Sequence, residues 1–190
     1  MITFLDTEFT GLVDDPQLLS VGVVVSKEYA REFYAEVTDR TRILAASNFV
    51  RSAVLPQFGK IPGAACSYLE LGHRLSAFLA ILSRSLKAGE IIEIAFESDR
   101  DWEFLRNVIK DASVAQWESI VDVLRPVNMY NIAGFAAGDL AAKAYFEAQA
   151  LAPLSRHHAL CDVRALRIAF DVANASSAAA SRQEAMAGVR

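Results

Sequence analysis

Cysteine is nearly absent from this chain: Cys66 and Cys161, in 190 residues, are too few and too far apart for a disulfide framework or a zinc site. Both read as buried small hydrophobes in a reducing compartment. A surplus of positive charge is missing too, since 19 Lys and Arg face 23 Asp and Glu for a net charge of −4, which excludes a bulk basic field. No long hydrophobic run occurs either. The N-terminus meets Asp6 before a signal-peptide core forms, and Leu75 to Leu82, broken by Ser76, is far too short to cross a bilayer. No repeat or linker divides the chain. What is there is 53% hydrophobic with a mean hydropathy of +0.24, enough for a substantial core. The expectation is a soluble cytoplasmic protein without membrane contact, with residues 1–173 forming one domain and 174–190 an Ala- and Ser-rich C-terminal tail, helical or frayed.

Ile2 to Glu8 reads as a strand, and Leu18 to Val25 is a continuous β-branched run suited to a strand covered on both faces. Tyr29 to Val37 follows a short polar connection at Ser26 to Glu28, so the three make an antiparallel meander. Tyr68, Leu71, Leu75, Phe78, Leu79, Leu82 and Leu86 recur at helical spacing, predicting a helix over Ser67 to Leu86 that ends before Gly89, and Asn48 to Leu55 suggests a shorter one. Ile91 to Phe96 is a fourth strand. Asp101 to Lys110 follows as a helix, with Asp99 or Asp101 near its start as a capping acid. A fifth strand falls within Ile120 to Ile132, interrupted around Pro126, and helices follow over Ala136 to Ala150 and His158 to Ala173. The order describes an α/β fold whose mixed five-stranded sheet, three antiparallel strands then two parallel, is flanked by helices.

Asp6 and Glu8, two residues apart on the first strand, leave the same face of it. Two like charges in a partly desolvated place persist only with a proton, a basic partner or a metal. No Lys or Arg precedes Lys27, which favours a cation from solution; the bland reading is a strand end pointing into water. In the last helix Leu160, Val163, Leu166 and Phe170 define the buried stripe, and Asp162 lies roughly 80° from its centre, at the border of the core. A helix crossing the sheet there delivers Asp162 to Asp6, with His157 overhanging the same spot from the loop before it. Asp101, just after the fourth strand, completes the set at a sheet edge where sites form, with Asp99 and Glu97 competing for that role. Each acid alone also reads as a cap or a solvated surface group, and His73 reads as a helix-surface residue.

Asp6-Thr7-Glu8-Phe9-Thr10-Gly11-Leu12, Asp101-Trp102 with Leu105, and His157 five residues before Asp162 together resemble the DEDD superfamily of 3′-to-5′ exonucleases, in the branch whose third motif carries histidine. The motifs span nearly the whole chain in order. The second departs from the Asn-x-x-x-Phe-Asp form of proofreading members and is more similar to small bacterial exoribonucleases, with oligoribonuclease a more distant relative.

The resemblance implies a ribonuclease-H-like fold and two divalent cations, Mg²⁺ or Mn²⁺, held by Asp6, Glu8, Asp101 and Asp162 about 3.5–4 Å apart. Asp6 bridges both ions, Glu8 and Asp162 complete the nucleophile side, and Asp101 acts through water. Setting four carboxylates aside as ligands leaves the remaining charges balanced, so an acidic chain is no objection. His157, with an ordinary pKa of about 6.5, is the general base, and His158 is its rival. The product is a nucleoside 5′-monophosphate. Backbone at Phe9 and Thr10 meets the terminal 3′-hydroxyl, Leu12 or Phe9 stacks on a base, and Arg156 contacts a phosphate. Phe9 as plain core and Arg156 as a surface residue are the competing readings. The partners expected are short or single-stranded nucleic-acid 3′ ends, RNA preferred, and a homodimer is possible by analogy. A 3′-to-5′ exodeoxyribonuclease and an inactive RNA-binding module of the same fold are the alternatives.

Overall fold

The computed structural model describes residues 1–26, 31–131, 135–150 and 152–187. Three segments rich in β-branched or aromatic residues, β1 (Ile2–Phe9), β2 (Leu18–Val25) and β3 (Glu32–Val37), form the expected antiparallel meander. Every residue of β2 is buried, as a strand covered on both faces requires. Then come α1 (Arg40–Ala45), α2 (Asn48–Ala53), a 3₁₀ turn (Leu55–Gln57), β4 (Ala65–Cys66) and α3 (Tyr68–Ser83). The second half comprises β5 (Ile92–Phe96), α4 (Asp99–Ala112), α5 (Val114–Glu118), β6 (Leu124–Asn128), α6 (Phe135–Ala148) and α7 (Ala159–Ala187).

The sheet has six strands in the order β4-β3-β2-β1-β5-β6, not five. The extra strand, β4, is two residues pairing parallel to Glu36 and Val37, too short to leave a period-two pattern in the sequence. β5 and β6 run parallel to β1, and Pro126 lies within β6 rather than interrupting it. An edge strand tolerates proline because its outward N–H has no ladder partner to lose.

Alternation along β1 separates two cores. Leu5 faces Leu71, Leu75, Leu79 and Ile109 of α3 and α4, whereas Phe4 faces Leu160, Val163 and Leu166 of α7, with α6 packed against α7. Each such buried side chain contributes about 1.5–3 kcal/mol. The capping expectation for α4 is corrected in one respect: Ser98 is the N-cap, and Asp101 is the reciprocal third residue of its capping box. The last helix continues past Ala173 to Ala187, because no Gly or Pro interrupts the Ala-rich stretch that follows. Lys27 to Ala30, at the expected start of the third strand, lie outside the described residues, as do Ile132 and 188–190. Both cysteines are buried and free. Among the described residues no helix is long and apolar enough to cross a membrane.

One glycine brings the two ends of the chain together. Gly22 on β2 pairs with Asp6 on β1, and a Cβ there would lie 2.4 Å from the carbonyl oxygen of Ala159. The missing side chain lets the first turn of α7 rest on the sheet beside Asp6.

Candidate active site

Asp6 and Glu8 leave one face of β1, and a register shift between Glu8 and Phe9 bends the strand as it exits the sheet. From the opposite face Thr7 donates to Asp101 Oδ1 at 2.6 Å, and the Ser98 N–H donates to Asp101 Oδ2 at 3.2 Å. Asp101 is buried and acts electrostatically on both Asp6 and Glu8. Asp99 is exposed and accepts from Asn128 Nδ2 at 3.0 Å, so the start of α4 turns Asp101 toward the cluster and Asp99 away from it. Glu97, at the end of β5, lines a cavity of about 160 Å³ with Asp6, Arg156, His157 and Asp162.

The start of α7 supplies the rest. Both carboxylate oxygens of Asp162 accept from the backbone N–H of His157, at 3.2 and 3.0 Å. His157 has φ +69°, a left-handed conformation that costs a non-glycine residue about 1–2 kcal/mol. It turns the imidazole back over the sheet, where its ring meets Phe49 edge-on at 5.0 Å. One ligand atom each from Glu8, His157 and Asp162 lie within 4.8 Å of one another. His158 points the other way: it is buried, stacks on Tyr34 at 4.4 Å and accepts the Leu160 N–H at Nδ1. Burial, with Lys60 adding to it, holds its pKa at about 4, so it is a packing residue.

Burial dominates the electrostatics of the acids. It raises Asp6 well above the carboxylate range, with Asp162, Asp101, Glu8 and Glu97 adding repulsion. Glu8 is pushed up to about 8 by burial, then by Asp162 and Asp101. Asp162 rises to about 7 through burial, opposed by the His157 N–H and Arg156, and Asp101 to about 6, opposed by Thr7 and Ser98. His157 is lowered by burial and by Arg156. Among the described residues no Lys or Arg forms an ion pair with Asp6, Glu8, Asp101 or Asp162. Asp6 Oδ2 is buried without a hydrogen-bond partner. Crowded oxygen donors, one of them unpartnered, suit a hard divalent cation.

Beside this cluster an apolar groove of about 490 Å³ is lined by Glu8, Phe9, Leu12, Phe49, Val50 and His157. Leu12, 88% exposed, and Phe49, 57% exposed, form its open rim. Phe9 lines the groove and also packs against Phe104 of α4 at 5.4 Å. Thr10 is not brought into the groove. It is buried, its N–H donates to Gln17, its hydroxyl accepts the Gln17 N–H, and its carbonyl accepts the Ser47 N–H, so it holds the turn that carries Leu12. Arg156 stands in the Asp6 cavity with its guanidinium 5.5 Å above the Phe146 ring. Phe49 and Val50 are groove residues missed in the sequence: they lie in a short helix after a Ser cap, with nothing linear tying them to His157. No family model matches the chain and no curated protein does, so the assignment of this site rests on its own residues.

Proposed function

We propose that the protein is a metal-dependent 3′-to-5′ exonuclease of the histidine-bearing DEDD type, acting on short or single-stranded ends with RNA preferred. The observation that carries the reading is the convergence of Glu8, His157 and Asp162, from opposite ends of the chain, beside the unpartnered carboxylate of Asp6. The order β3-β2-β1-β5-β6 supports a ribonuclease-H-like fold, with β4 an addition at one edge.

Asp6, Glu8 and Asp162 would hold the divalent cations, with Asp101 behind them, and these would supply the charge that activates water and steadies the departing 3′ oxygen. The chain's own residues do the rest. His157, kept neutral at pH 7 by burial and by Arg156, accepts the proton of the attacking water. Asp162 fixes the backbone of that histidine through its N–H. Leu12, Phe49 and Phe9 take the terminal base between apolar walls, which favours stacking over base identity. Arg156 meets the scissile phosphate from the other side of the acids. The products are a nucleoside 5′-monophosphate and a strand shorter by one.

Pure protein with a 5′-labelled RNA oligomer and Mg²⁺ or Mn²⁺ should give a ladder of stepwise shortening that EDTA stops. One internal cut, or no cut with any divalent metal, refutes the proposal. Competition between matched RNA and DNA 3′ ends separates the exoribonuclease from the exodeoxyribonuclease. The proximity of His157 to Glu8 and Asp162 favours a second reading of that residue alone, as a metal ligand. It predicts that His157→Ala abolishes Mn²⁺ binding in calorimetry, whereas loss of a base leaves binding intact.

A further inference from the structure

We propose that Gln57 is a positioning residue for His157, stapling the aromatic wall of the groove to the loop that carries the histidine; the inference rests on the reading of His157 as the proton acceptor. Gln57 ends the 3₁₀ turn after α2 and is 5% exposed. Its Nε2 donates to the carbonyl of Ala53 at 3.0 Å and to that of Arg156 at 2.9 Å. Its Oε1 accepts from the Ser155 N–H at 2.9 Å and the Ser155 hydroxyl at 3.2 Å. Both N–H donors and both acceptor positions of the amide are therefore used, and only an amide of this length offers two of each.

The bonds join segments distant in sequence. Ala53 closes α2, the helix bearing Phe49 and Val50 of the groove, while Ser155 and Arg156 immediately precede His157. A non-glycine residue in a left-handed conformation persists only where its surroundings over-determine it. Here Asp162 holds the N–H of His157, and Gln57 holds the two residues before it. The 5.0 Å contact between Phe49 and His157 spans the same junction, so the wall that receives the base and the ring that takes the proton move together. Gln57 does not line the groove or the acid cavity; its effect passes through the loop.

Gln57→Met in the full chain keeps length and burial while removing all four hydrogen bonds. The expected result is loss of the NOE cross-peaks between the His157 and Phe49 rings. With Mn²⁺ and a short 5′-labelled RNA, kcat should fall by about 10–100-fold while KM stays within about twofold, the pattern of a misplaced group rather than lost substrate grip. Gln57→Glu keeps the two contacts to Ser155 and loses both donors; it should fall between the wild type and Gln57→Met, and it decides the matter where the Met variant does not fold. Cross-peaks that persist in a folded variant overturn the proposal, as do lost cross-peaks with kcat unchanged. A wild-type chain that releases no nucleotide sinks the exonuclease reading, and the NOE measurement then judges the staple alone.

Discussion

His157 lies edge-on against Phe49 and within the field of the Arg156 cation. Burial and then Arg156 keep its pKa below the ordinary value, so the neutral form dominates at pH 7. On the proposed role of His157 as proton acceptor, kcat at saturating Mn²⁺ should rise with pH along a limb centred below about 6.5 and be flat above it. Arg156→Gln removes one lowering influence and should move that limb to higher pH; a pH–rate profile in which it stays put or moves down contradicts the placement of Arg156. His157→Ala should lower kcat by about 10²–10⁴-fold with an unchanged circular dichroism spectrum. Asp6 makes a separate prediction, since burial and four neighbouring acids oppose its charge. In EDTA at pH 8, Asp6→Asn should raise the melting temperature by roughly 2–4 °C, the shift that about 1 kcal/mol produces in a chain of this length. The same variant should lose the stabilisation that Mn²⁺ gives the wild type. At this scale the sequence was informative about the acids and the histidine, because their spacing shows directly in the chain. It was uninformative about Phe49 and Gln57, whose roles depend on partners about a hundred positions away.

The packing of α7 against the sheet is what turns separate residues into a site. Its first turn approaches β2 at Gly22, where a Cβ would lie 2.4 Å from the Ala159 carbonyl oxygen and 2.5 Å from its carbon. Gly22→Ala should therefore lift that end of the helix. Overpacking of this kind costs about 1–3 kcal/mol. Asp162 and His157 ride on the displaced turn, so kcat should fall as well, by up to about 100-fold. Denaturant melts and single-turnover rates test the two effects together; a variant as active and as stable as the wild type would show that the helix does not need this seat. Hydrophobic period placed β1, β2, α3 and the start of α7 in the sequence nearly where they lie, since each contributes a stripe or a run of apolar residues to a shared core. β4 and α5 left no such trace, being a two-residue strand and a five-residue helix. Glu97, weighed in the sequence only as a rival to Asp101, proves to share the cavity of Asp6 through its position at the end of β5.

For the molecule as a whole, folding forces carboxylates into proximity and so makes stability depend on pH. A group whose pKa is raised on folding binds its proton more tightly in the folded state, and its stabilising effect is lost as pH rises through the folded value. Asp6 is raised, Glu8 lies at about 8 and Asp162 at about 7, while the lowered histidines oppose this trend only below about 6.5. In EDTA the melting temperature should therefore fall between pH 6.5 and about 8, and saturating Mn²⁺, by binding the ionised carboxylates, should flatten or reverse that fall. Calorimetric scans across this range check it; a metal-free melting temperature that climbs instead would mean that the acids do not share one pocket in solution. The sequence by itself determined the alternation of strands and helices, the two-sided burial of β2 and the spacing that singles out Asp6, Glu8, His157 and Asp162 as candidates, because local period and residue chemistry are written in neighbouring positions. Only the tertiary structure decided that Asp101 rather than Asp99 turns to the acids, that Thr10 supports the groove instead of lining it, that Phe49 lines the groove and that Glu97 shares the cavity of Asp6. The physical reason is that these depend on helix seating, capping geometry and the antiparallel register that sets Gly22 beside Asp6, relations between residues far apart along the chain.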